Sequence, residues 1–147
     1  MRLDQLRRRD FITLLGSSAV SWPARAQSSK TPVRIGFVFF GSQSNVYDQS
    51  LVKAFQEGLR QVGLVENQDI VLDVVWISGD PEKAVTEVLA RGTELLVPSG
   101  SGASVAAMHQ TSTIPIVFIN VGDPIAMGLV ESLSHPGRNA TGFSDIR

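Results

Sequence analysis

From Val33 onward the apolar residues switch repeatedly between unbroken β-branched runs and a three-to-four spacing, and few architectures accommodate that alternation. Val33 to Phe40 is almost continuous in valine, isoleucine and phenylalanine, the composition of a strand covered on both faces. Between Asp48 and Val62, the residues Leu51, Val52, Phe55, Leu59 and Val62 recur at helical steps, and Gly63 stands where a helix C-cap belongs. Ile70 to Ile77 reads as a second strand, rich in valine. Asp80, Pro81 and Glu82 then supply an N-cap, a first-turn proline and an acid at the positive end of a helix dipole, and Gly92 closes that helix after Arg91. A third strand, Glu94 to Pro98, leads through Ser99, Gly100, Ser101 and Gly102 into a helix from about Ala103 to Gln110. A fourth, Ile114 to Ile119, passes through residues 120–124 into a short helix expected to end near Leu133, and Ala140 to Phe143 begins a fifth strand.

Strand followed by helix, four times over, predicts an α/β fold: a parallel sheet flanked by helices and joined by right-handed crossovers. Ligands of such sheets bind outside the carboxyl ends of the strands, so residues 41–47, 78–80, 98–102 and 120–124 hold the candidate site. Ser42 lies in a polar loop with one aromatic, Tyr47, which reads equally well as a binding loop or a solvated one. Ser99, Gly100, Ser101 and Gly102 offer hydroxyls and unhindered amides at a helix N-terminus, suited to a carboxylate or phosphate; a plain strand-to-helix turn is the alternative. Asp123 ahead of Pro124 reads as an N-cap, a role compatible with ligand contact.

The first 26 residues read as an address rather than as part of this fold. Arg7, Arg8 and Arg9 precede a ten-residue apolar run, Phe11 to Val20, and then Ala24-Arg25-Ala26. A bilayer-spanning helix needs roughly 20 apolar residues, so the run is expected to be the core of a cleaved signal peptide, cut after Ala26, and no stable membrane insertion follows. The arginine pair before Phe11 resembles a twin-arginine export signal, with the general secretory route as the alternative; either delivers the chain to the periplasm. The expected organisation is an export signal over 1–26, a polar leader over 27–32 and one α/β lobe over 33–147.

Removal of the signal takes five of the 13 basic and two of the 14 acidic residues, leaving eight against twelve and a net charge near −4. The eight cations are scattered singly, which argues against a nucleic-acid partner. Cysteine is absent, and His109 and His135 have no carboxylate at ligand spacing, so neither a disulfide framework nor a metal site is expected. Gly100-x-Gly102 is a poor dinucleotide fingerprint, because Val105 occupies the third glycine position and the motif follows the third strand. No cofactor is expected. No nucleophile elbow or close acidic pair marks the chain as an enzyme.

Several segments, taken in order, carry a family resemblance: Arg8 to Gly16; Phe55-Gln56-Glu57-Gly58-Leu59 with Gly63 to Gln68; Ile114 to Phe118; Gly122 to Val130; and Ser132 to Gly142. Together they resemble the periplasmic substrate-binding proteins of ABC transporters, of the group related to tryptophan- and tyrosine-binding components. The resemblance implies the first lobe of a type I periplasmic-binding-protein-like fold. It implies contacts to a small organic solute, such as an amino acid, from the loop after the first strand, the Gly100 to Gly102 turn and the Asp123 loop. It also implies an ABC transporter permease as partner. Asn67 and Arg138 stand where the family usually has glycine. Family members are about twice as long, so the chain is expected to be an N-terminal half that lacks its second lobe, with a separately encoded second lobe as a candidate partner. The competing reading is an exported flavodoxin-like enzyme or regulatory domain, which is weakened by Phe39-Phe40-Gly41 at the end of the first strand, where metal-assisted phosphoryl chemistry wants acids.

Overall fold

The structure, a computed structural model, describes residues 31–145. The segments expected to be an export signal (1–26) and most of a polar leader (27–32) lie outside the described residues. Five parallel strands form one sheet in the order β2-β1-β3-β4-β5: β1 is Val33–Phe40, β2 Ile70–Ile77, β3 Leu95–Pro98, β4 Ile116–Val121 and β5 Ala140–Ser144. Three helices accompany them: α1 over Val46–Gln61, α2 over Pro81–Ala90 and α3 over Ser101–Gln110.

The alternation of strand side chains divides the core in two. Ile35, Phe37 and Phe39 of β1 face α1, where Phe55 stacks on Phe37 at a centroid distance of 4.8 Å and Val52 is buried. On the opposite face, Val38, Leu96, Ile116 and Phe118 pack beneath Val85, Val88, Ala103, Ala106 and Ala107 of α2 and α3. Three alanines at these positions let α3 approach the sheet closely, which a larger side chain would prevent. The C-terminal end of α3 is stitched to the start of α2 through Gln110, whose amide donates to both the backbone and the carboxylate of Glu82 at 2.7 Å. At the amino ends of the strands, the Arg34 guanidinium holds Asp73 at 2.7 Å, with Arg91 at 3.8 Å.

The expected strands and the first three expected helices are all present: β1 and β2 keep their expected bounds, and the others differ at their ends. β4 begins two residues later than its apolar run and extends to Val121, because Pro115 has no amide to give the ladder and Ile116 takes up the pairing with Ala140. α3 begins at Ser101 rather than Ala103, since Gly100, at φ 91°, turns the chain directly into the helix. The short helix expected after Pro124 is not formed. The segment makes a turn in which Leu129 and Val130 both donate to the Pro124 carbonyl, and Gly128, at φ 69°, ends the winding so that Leu129 and Val130 can enter the core. Asn67 sits at φ 65°, in the left-handed region that favours glycine and that asparagine tolerates, so its departure from the family pattern carries a modest strain. Arg138 follows Gly137, which alone of the two takes a positive φ.

Candidate functional site

The strand order reverses direction at β1, whose neighbours are β2 on one side and β3 on the other. The crossovers therefore diverge there, leaving a crevice at the carboxyl ends of β1 and β3. Two of the anticipated loops flank it directly. The loop after β1 is fixed by its own polar groups: the Ser42 amide donates to Asp48 Oδ2 at 2.9 Å, the Ser42 and Ser44 hydroxyls lie 2.8 Å apart, and Asn45 Oδ1 caps α1 by accepting from the amides of Tyr47 and Asp48. Gly41 is needed at the strand exit, because a Cβ there would stand 2.7 Å from the Asp48 carboxylate.

Across the crevice, β3 leads into α3 with no side-chain cap. The Ser99 amide donates to Val38 and the Gly100 amide to Ile119, so both residues are tied to the neighbouring strands. Ser104 returns its amide and hydroxyl to the Gly100 carbonyl. The amides of Ser101, Gly102 and Ala103 have no partner among the described residues, as the first turn of a helix dictates, and they carry the positive end of the α3 dipole. Ser99 is only 7% exposed, and its hydroxyl makes no hydrogen bond among the described residues. One strand further on, Asp123 is exposed, and its Oδ1 accepts from Ile125 at 3.1 Å and Ala126 at 2.9 Å. Its Oδ2 has no partner among the described residues, so half of the carboxylate remains available to a cation or donor.

Of the six residues expected to contact a ligand, Ser99, Gly100, Ser101 and Gly102 thus line the end of β3, Ser42 lies at the end of the adjacent β1, and Asp123 lies beyond the end of β4. The Ser42 hydroxyl is engaged by Ser44 and its amide by Asp48, so its polar groups shape the loop. Phe40 was not among the expected site residues. The residue is 45% exposed and its ring lies beside Gly100 and Gly102, a contact 60 residues away in sequence that no local pattern announces. Hollows of about 430 and 470 Å³ occur at the opposite, amino-terminal ends of β2 and of β4 and β5. Several of their polar groups serve the fold: Arg60 bonds Glu57, Gln56 donates to Glu66, and the Asn139 amide donates to the Thr111 and Ile114 carbonyls. The strand-end surface holds the α3 amides that lack a partner among the described residues and the half-used Asp123 carboxylate. Among the described residues, no group of three His, Asp or Glu is placed to hold a metal ion, and no helix is long and apolar enough to cross a membrane.

A doubly wound parallel sheet with an uncapped helix N-terminus at its switch point is the architecture of an α/β lobe of the kind that binds ligands at its strand ends. Residues 44–147 match the family model described as ABC transporter substrate binding protein, and the chain belongs to that family. Over 96 residues it is 29% identical to a tyrosine-binding protein of Clostridioides difficile, a match that covers 63% of this chain and 28% of the relative. Among solved structures it resembles an ABC domain in complex with L-Trp from Streptococcus pneumonia, with a TM-score of 0.67 and 28% identity over 79% of this chain and 39% of the other. It shares the fold of a ligand-free, open substrate binding protein with adhesive properties from Clostridium difficile, with a TM-score of 0.69 and 24% identity over 78% of this chain and 39% of the other. The chain therefore spans well under half the length of the relatives it matches. Two of these relatives are named as binding proteins, and the third is in complex with L-Trp.

Proposed function

We propose that this chain contributes one wall of a solute-binding cleft in an extracytoplasmic component of an ABC importer, taking up a small organic solute of the amino-acid kind. The observation that carries the reading is the pairing of the unpartnered α3 amides with Asp123 Oδ2, on the ends of neighbouring strands about 4.8 Å apart. The amides suit a carboxylate, and the carboxylate suits an ammonium group. The tyrosine and tryptophan named for two relatives are zwitterions of this kind.

In this reading residues 1–26 direct export to the periplasm and are removed after Ala26, and the loaded protein meets an ABC permease. The strand-end surface is open, and small ligands are normally enclosed over most of their surface. A second lobe, from further sequence or a separate gene, supplies the opposing wall. The chain alone is thus expected to bind weakly, each 1.4 kcal/mol of lost contact costing about tenfold in affinity.

Calorimetry of residues 27–147 against amino acids and simple carboxylates tests the proposal. Weak heats, abolished by Asp123→Ala, are the expected result. Tight binding by the chain alone contradicts the half-site argument, and weak binding indifferent to Asp123 contradicts the assigned loop.

A further inference from the structure

We infer that Phe40 is a specificity-determining residue of this site, a platform for the flat apolar body of the solute whose charged end the α3 amides hold. The inference rests on the solute-binding reading above and adds the class of side chain that the site prefers. Residues 35–39 of β1 are buried, whereas Phe40, the last residue of the strand, leaves 45% of its surface in solvent. Alternation places it on the same face as Val38, toward α3. Its ring reaches the first turn of that helix. A Cβ built on Gly102 would meet Cε2 and Cζ of the ring at 3.6 Å, and one on Gly100 would meet Cδ2 at 4.0 Å.

The ring therefore stands beside the turn that carries the amides of Ser101 and Gly102, at ordinary contact distance from the positions a Cβ on Gly100 or Gly102 would take. A carboxylate received there brings the rest of its molecule up against Phe40. The site thus combines donors and a half-used acid with one exposed apolar surface, the mixture by which ligand sites fix orientation and discriminate between side chains. Stacked and edge-on aromatic pairs gain over equal aliphatic area, so the ring is expected to favour aromatic over aliphatic amino acids by up to about tenfold, or 1.4 kcal/mol.

The test is a nitrogen-15 NMR titration of the chain with tryptophan, phenylalanine, leucine and isoleucine at millimolar concentration, following the Ser101 and Gly102 amides. It is run on the native protein, on Phe40→Leu and on Phe40→Trp, the last keeping the test alive if the leucine variant does not fold. The expected result is an aromatic preference in the native chain that Phe40→Trp keeps and Phe40→Leu removes, with leucine affinity unchanged. Equal affinities in the native chain, or a preference that survives Phe40→Leu, overturn the inference alone. Loss of all four solutes in parallel in Phe40→Leu also overturns it and assigns the ring a packing role. Amides that move with no solute overturn the inference together with the reading beneath it.

Discussion

Asp48 Oδ2 accepts the backbone amide of Ser42 at 2.9 Å, tying the first turn of α1 to the loop that leaves β1. The same carboxylate lies where a Cβ on Gly41 would be, so acid and glycine are fitted to one another. Replacing Asp48 by alanine leaves the Ser42 amide to water and is expected to cost about 1 kcal/mol, the low end for a charge-assisted bond because the group is solvated. Asp48→Asn, which keeps an acceptor, is expected to lose less. Urea unfolding measures both, and faster hydrogen exchange at Ser42 in Asp48→Ala marks the loop as the place where order is lost.

Two glycines are expected to respond in opposite directions to alanine. A Cβ on Gly142 of β5 collides with the Phe118 carbonyl oxygen and ring, so Gly142→Ala forces β5 away from β4 and is expected to destabilise by about 1–3 kcal/mol. Gly58, within α1, has no atom within 4 Å of such a Cβ, and Gly58→Ala is expected to stabilise by about 0.5–1 kcal/mol through helix propensity. Melting temperatures of the pair, compared with the native chain, decide the matter.

Acid sensitivity follows from two carboxylates, the exposed Glu57 and the half-buried Glu82. Hydrogen bonds from Arg60 and then Gln61 hold Glu57 down at about 2, from the ordinary 4.5. Glu82 is held below the same ordinary value chiefly by the Gln110 amide and then by His109. A depressed folded-state value means that the stabilisation is complete above the unfolded value and is lost as pH falls through the folded one. Stability is therefore expected to decline from about 4.5 toward 2, and Glu57→Gln to flatten part of that decline. Denaturation midpoints measured across this window in both proteins provide the check; parallel curves would contradict the assignment.

The sheet was legible in the sequence because its strands are buried on both faces and read as unbroken apolar runs, as Val33 to Phe40 does. α2 was bounded by local chemistry alone: Asp80 accepts from Glu82 at 3.0 Å, and Pro81 sits in the first turn, as the capping signals indicate. The turn after Asp123 misled because Asp and Pro start a turn and a helix in the same way, and what stops this one is tertiary: Leu129 and Val130 are drawn into the core. The candidate site was legible only as a set of loops, since their positions follow from strand order. Its chemistry was less so. The sequence does not reveal that the Ser42 hydroxyl is taken by Ser44, or that Phe40 reaches Gly102, because both depend on how side chains meet after the sheet has formed.

The central claim is that the α3 amides receive a carboxylate while Asp123 receives an ammonium group. Chemical-shift mapping with one amino acid and two analogues, one lacking the amine and one lacking the carboxyl, tests each half separately. The account predicts that the complete amino acid moves the amides of Ser101 and Gly102 together with those of Ile125 and Ala126, which Asp123 caps. The amine-free analogue should move only the first pair, and the carboxyl-free analogue only the second. Shifts confined to the amino-terminal ends of the strands, or identical patterns from all three compounds, would contradict it.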